Sequence, residues 1–247
     1  MTVDARWESL YRQVELVRGV GDRKRGKMCV MSFVAFLAGE EHSDNPTTAS
    51  PLIRQFAMTI NDNMPDHMRQ RLKSFAPRIL GTRDGQDWAR VRHLLEAVRA
   101  EVLPRIAAEF GFAATRDGCM PRWSQTHRKA MTLPQLHEQV ARLASNTPDP
   151  GDMPPCEERG AGVARLIAHC GRIARTPEQR DWYWVKAIEL LDRLCDISAV
   201  HDRRGVPVER LSEMEAFLER RNERQQRKAG AVAAFARVRN LIPALVR

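Results

Sequence analysis

The chain has 247 residues, 43% of them apolar and 29% charged, which is globular composition with enough length to bury a core and excludes an intrinsically disordered protein. Its net charge of +9 is lopsided, since residues 203–247 carry 11 Arg and Lys against five Glu, a net +6. No apolar run approaches a membrane span, the first residues lack the basic-then-apolar order of a secretory signal, and the five scattered cysteines read as small core residues, so a reducing, cytoplasmic setting is expected.

Trp7, Leu10, Tyr11, Val14 and Val17 recur at three- and four-residue intervals, predicting an amphipathic helix that ends near Gly19. A basic loop, Gly21 to Lys27, should then connect to a helix over Met28 to Ala38, apolar on nearly every side and closed by Gly39, although so short an apolar run also suits a buried strand. Polar caps before Pro51 predict a helix from Leu52 to Asn61, and a shorter one follows from Pro65 to Phe75. Asp84 to Ala100 reads as a helix with Trp88, Val91, Leu94, Leu95 and Val98 facing inward, and Pro104 is expected to kink or end it. Residues 111–132 are irregular, and Pro134 can open a helix through Leu143.

Residues 146–155 are proline-dense and poor in large apolar residues, as in a linker or long surface loop. Beyond it, Val163, Leu166, Ile167, Cys170 and Ile173 share one helical face. Thr176-Pro-Glu-Gln179 matches a capping box that starts a helix through Asp196. Two more helices are predicted over Val208 to Lys228 and Ala231 to Val246, and no hairpin signal stands out. The expected architecture is mainly α: a helical N-terminal unit (1–145), a proline-rich linker or surface loop (146–159) and a helical C-terminal unit with a basic tail (160–247).

The chemistry-bearing candidates are few. Gly21, Gly26 and Lys27 have phosphate-loop spacing, but Met28 replaces the magnesium-binding hydroxyl and no strand is expected before them, so a solvated connecting loop is the preferred reading. Glu40, Glu41, His42 and Asp44, and separately Asp62, Asp66 and His67, offer carboxylates and imidazole for a metal or acid–base work. A ten-residue helix of roughly 15 Å would hold the two clusters apart, and each alone reads as cap and turn chemistry. Cys156, His169, Cys170, Cys195 and His201 lack paired zinc-ligand spacing, and no cofactor motif is evident. Trp182, Tyr183 and Trp184 point about 100° apart on a helix and cannot form one stacking surface; Trp184 should pack in the core with Val185, Ile188 and Leu191, leaving Trp182 for a partner.

Phe36-Leu-Ala-Gly39, Ser43-Asp-Asn-Pro46, Ser50-Pro-Leu-Ile-Arg54, Asn61-Asp62, Ala76-Pro-Arg78 and Gly81-Thr82 together resemble a segment of uncharacterised bacterial proteins. The resemblance covers about a quarter of the chain. It implies a bacterial origin and a single unit over residues 27–82, and it brings no activity with it.

The leading expectation is a non-enzymatic accessory or regulatory protein that binds nucleic acid, a nucleoprotein complex or an acidic protein. Its contacts would be Arg23, Lys24, Arg25 and Lys27 in the loop with Arg220, Arg224, Arg227 and Lys228 on a helical stripe. The alternative is a protein–protein adaptor, or a homo-oligomer, docking through the apolar stripe Val232, Phe235, Val238, Ile242 and Leu245, which packing on the chain's own core would instead make structural. A metal-dependent enzyme using Glu41, His42 and Asp44 comes third.

Overall fold

The computed structural model describes residues 10–110, 155–197 and 208–241, the last without the side chains of 208, 210 and 234–241. Helices dominate, as the periodicity predicts. The first helical segment ends at residue 13 rather than near Gly19, because the next backbone groups pair elsewhere: Glu15 N–H donates to Gly26 O (2.9 Å) and Val17 N–H to Met28 O (2.9 Å). This makes a small sheet that local patterning does not announce, with strands β1 (Glu15–Leu16), β2 (Gly21–Asp22) and β3 (Lys27–Met28) in the order β1-β3-β2. β1 lies parallel to β3 with Glu15 opposite Lys27, and β2 runs antiparallel to β3 with Gly21 opposite Met28. Gly21 is required at its place: it has φ +81°, and a Cβ there would stand 2.4 Å from Lys27 O.

Helix α1 (Val30–Ala38) is buried along almost its whole length and ends on Gly39 in the left-handed region. Ser50 caps α2 (Pro51–Asn63), accepting from Ile53 N–H at 3.3 Å. A string of short turns, Asp66–Arg69, Gln70–Phe75 and Ala76–Ile79, leads to α3 (Asp87–Ala97). Trp88 falls in the first turn of α3 and is 45% exposed, not inward-facing, whereas Val91, Leu94, Leu95 and Val98 are buried. Pro104 does not stop the chain. The helix widens into a π turn over Val98–Val102, where Leu103 N–H reaches back five residues to Val98 O, and α4 (Leu103–Phe110) continues with the amide-less proline in its first turn.

Helix α5 begins at Cys156 and runs to Ile173, so residues 156–159 are its first turn rather than linker; residues 146–154 and the predicted 134–143 helix lie outside the described residues. It lies tightly against α2, with Gly160 so near that a Cβ would meet Leu52 O at 2.6 Å. The predicted capping box is present on α6 (Pro177–Asp196), with Thr176 and Gln179 bonding each other's backbone amides. Trp184 is buried as expected, but Val185 is 43% exposed, lying off the face formed by Ala187, Leu191 and Leu194. One contiguous core joins these helices to α1 and α2.

Two buried arginines clamp the assembly. Arg90, fully buried, makes a fork onto both carboxylate oxygens of Asp84 (2.8 Å each) and donates to Thr82 O, Leu194 O and Ile197 O, tying α3 to the end of α6. Arg69 caps the end of α2 through Asn61 O and Met64 O (2.7 Å each). The last element is one helix, α7 (Val208–Leu241), where two were expected. Gly230 stays helical because a lone glycine costs about 1 kcal/mol in a helix interior and does not by itself break one. Leu211, Met214 and Leu218 bury one face of its first half, and every side chain from Glu223 to Ala233 is exposed.

Candidate polyanion-binding surface

The basic loop is a hairpin-like turn, not a phosphate cradle. Asp22 Oδ1 accepts from Lys24 N–H (2.9 Å) and Gly26 N–H donates to Arg23 O (2.9 Å), so two of the loop's amides are turned to closing the loop itself. Gly26 adopts φ +70° and closes the turn against α7, where a Cβ would collide with the Arg221 guanidinium. Arg221 donates to Gln13 O (3.1 Å) and Asn222 Nδ2 to Gln13 Oε1 (3.0 Å).

Arg23 completes the junction. Its guanidinium carbon lies 4.3 Å from the ring centre of Phe36 on α1 and 5.3 Å from that of Phe217 on α7, while the two rings meet edge to face at 5.5 Å. The two basic segments, about 200 residues apart in sequence, are therefore neighbours. Lys24, Arg25 and Lys27 are exposed on the loop, as are Arg220, Arg224, Arg227 and Lys228 on the helix. Arg25 pairs with Asp22 (3.3 Å) and Lys27 with Glu15 (3.1 Å), but these are solvent-exposed pairs, weak enough for a polyanion to displace. Arg23 differs from the others, being half-buried and engaged with aromatic rings. Between loop and helix opens a cleft of about 320 Å³ lined by Arg23, Phe36, Glu213, Met214, Ala216, Phe217 and Arg220.

Of the apolar stripe proposed for a partner, Val232 is 71% exposed, so packing on the chain's own core does not hold at that position. The side chains of Phe235 and Val238, and all of Ile242 and Leu245, lie outside the described residues.

Several members of the two acidic and histidine clusters make contacts that shape the fold. Glu40 accepts from Thr47 N–H (2.8 Å) and Oγ1 (2.9 Å), exposed His42 is 3.3 Å from Gly21 O, and Ser43 Oγ accepts from Asn45 N–H (2.9 Å). Asn61 accepts from Val30 N–H (3.2 Å) and donates to Val17 O (2.9 Å), and Asp62 accepts from Gly19 N–H (2.9 Å), so the Asn-Asp pair pins the sheet to α2. Thr82 donates to Ile79 O (2.7 Å) and accepts from Ser50 N–H (2.9 Å). Several residues of the segment from Phe36 to Thr82 thus have identifiable structural duties. Among the described residues no group of three or more His, Cys, Asp and Glu is placed to hold a metal ion.

Cys170 and Cys195 are buried, and burial pushes the Cys170 thiol up to about 12, away from any nucleophilic thiolate. His169, next to Cys170 in sequence, is buried, its pKa pulled down to about 4 by desolvation and by the positive charge of Arg172; His201 lies outside the described residues. Half-buried Trp182 has Arg105 at 5.3 Å and Lys186 at 5.7 Å from its ring centre, so its faces are not simply open to a partner. Arg221 and Phe217, and the part Phe36 plays in the junction, escaped the sequence reading. Phe217 lies between Met214 and Leu218 on the buried side of α7, a helical spacing that could have flagged it.

Comparison of the chain with protein-family models, with curated proteins and with solved structures finds no match in any of the three. Among the described residues no helix is long and apolar enough to cross a membrane.

Proposed function

We propose that this is a non-enzymatic helical accessory or regulatory protein that binds nucleic acid, or a nucleoprotein complex, through one composite basic surface. The observation that carries this reading is the Arg23 junction, which brings Lys24, Arg25 and Lys27 beside the helix bearing Arg220, Arg224, Arg227 and Lys228. Clustered exposed cations raise the local potential and contact phosphates without reading bases, which suits an accessory role better than a sequence-specific one. The test is fluorescence anisotropy with labelled DNA and RNA on two variants, one with Lys24, Arg25 and Lys27 changed to Ala and one with Arg220, Arg224 and Arg227 changed to Ala. Both should weaken binding. A loop variant that binds like the parent would reduce the surface to the helix alone.

The exposure of Val232 favours a second reading, an adaptor that docks through the end of α7 on a protein partner or a second copy. Deleting residues 231–247 would then abolish association while leaving the monomer's melting temperature unchanged, as light scattering and thermal melts would read.

A further inference from the structure

The geometry points to a single-stranded polyanion, with one unpaired base entering the cleft between Arg23 and α7; this rests on the nucleic-acid reading above. The cleft volume, about 320 Å³, stands at the lower end of the roughly 300–1,000 Å³ typical of small-molecule sites. Half-buried Ala216 and Phe217, backed by the buried Phe36 and Met214, give it an apolar floor, and at its edge Arg23 and Arg220 supply two cations against the one carboxylate of Glu213. Duplex DNA keeps its bases stacked inside and presents mainly charge, so it has nothing apolar to place there. A single strand offers flat, largely apolar bases alongside its phosphates. Arg220 belongs both to the cleft and to the stripe continued by Arg224 and Arg227, so a backbone following the stripe passes the cleft mouth. A base entering it would lie against half-buried Phe217 and the planar Arg23 guanidinium, with Arg220 near enough to hold the adjoining phosphate.

The test compares an oligothymidylate of about 20 nucleotides with a duplex of equal length at matched salt. The single strand should bind more tightly, and Ala216→Phe, which fills the cleft without emptying the core, should weaken it by about five- to a hundredfold while leaving duplex affinity and the salt dependence unchanged. Phe217→Ala should act in the same direction, with a thermal melt to separate lost stacking from lost folding. A readout that needs no variant is a fluorescent purine analogue within the strand, whose emission should change on binding to the parent protein. Equal or tighter duplex binding with Ala216→Phe silent, or an unchanged emission, would overturn the cleft assignment. If the Arg220, Arg224 and Arg227 variant still loses affinity in that case, the basic surface stands and only the base pocket falls. Absence of binding to either probe would remove both.

Discussion

Replacing Arg23 by Ala tests the junction on which the composite surface depends. Its guanidinium lies over two rings at 4.3 and 5.3 Å. Each cation–π contact contributes about 0.5–1 kcal/mol when exposed and about 2 when desolvated, so the half-buried pair should be worth about 1–3 kcal/mol. The rings it covers belong to α1 and to the docked half of α7, so the loss should fall on α7 docking rather than on the whole fold. Hydrogen exchange should show the amides around Met214 and Leu218 opening at a free energy about 1–3 kcal/mol lower, with those of α2 and α5 unchanged. Arg23→Lys, which keeps the charge without the planar fork, should fall between the two. Affinity for a polyanion should drop as well, although Arg23 itself is half-buried, because loop and helix would be held together less firmly, by Arg221 and Asn222 on Gln13 alone among their polar contacts named above. Unchanged exchange at α7 in Arg23→Ala would refute the reasoning.

Arg90→Ala should destabilise the protein by about 3–5 kcal/mol in urea unfolding, since it takes the guanidinium away from the carboxylate of Asp84, only 5% exposed, and removes donors from Leu194 O and Ile197 O; a change below about 1 kcal/mol would contradict the clamp. His169 keeps a neutral ring in the fold, its pKa lowered from 6.5 to about 4, so an unfolded chain takes up its proton first. Stability from this group is therefore complete above pH 6.5 and is lost as the pH falls toward 4, and an NMR titration of the ring with a midpoint at or above 6.5 would count against it. Glu101, held down to about 2 by Arg193 and Lys186, contributes stability above pH 4.5 that disappears as the pH falls toward 2, and Glu101→Gln should remove that part of the acid dependence.

What the sequence makes legible here is mostly local. Gly39, the Ser50-Pro51 cap and the Thr176–Gln179 box each act within one turn of their helix, so each could be read from neighbours alone. The sheet could not, because its strands are two residues long and no alternation can develop over such a span. Arg90 looks like any surface arginine until Leu194 O and Ile197 O, over 100 residues later, come to meet it. Arg23 is similar: a charged loop residue whose ring partner on α7 lies far along the chain. The basic stripe on α7 was readable from its helical spacing, but its adjacency to the loop was a tertiary fact carried by Arg221, Gln13 and Arg23.

The most direct measurement of the central claim is the salt dependence of nucleic-acid affinity for the parent protein and for the variant with Arg220, Arg224 and Arg227 changed to Ala. Each phosphate neutralised contributes about 0.7 to the log–log slope for a single strand and about 0.9 for a duplex, so losing three contacts should flatten the slope by about 2–3. A variant with the parent's affinity and the parent's slope would contradict the claim that this helix face binds the polyanion.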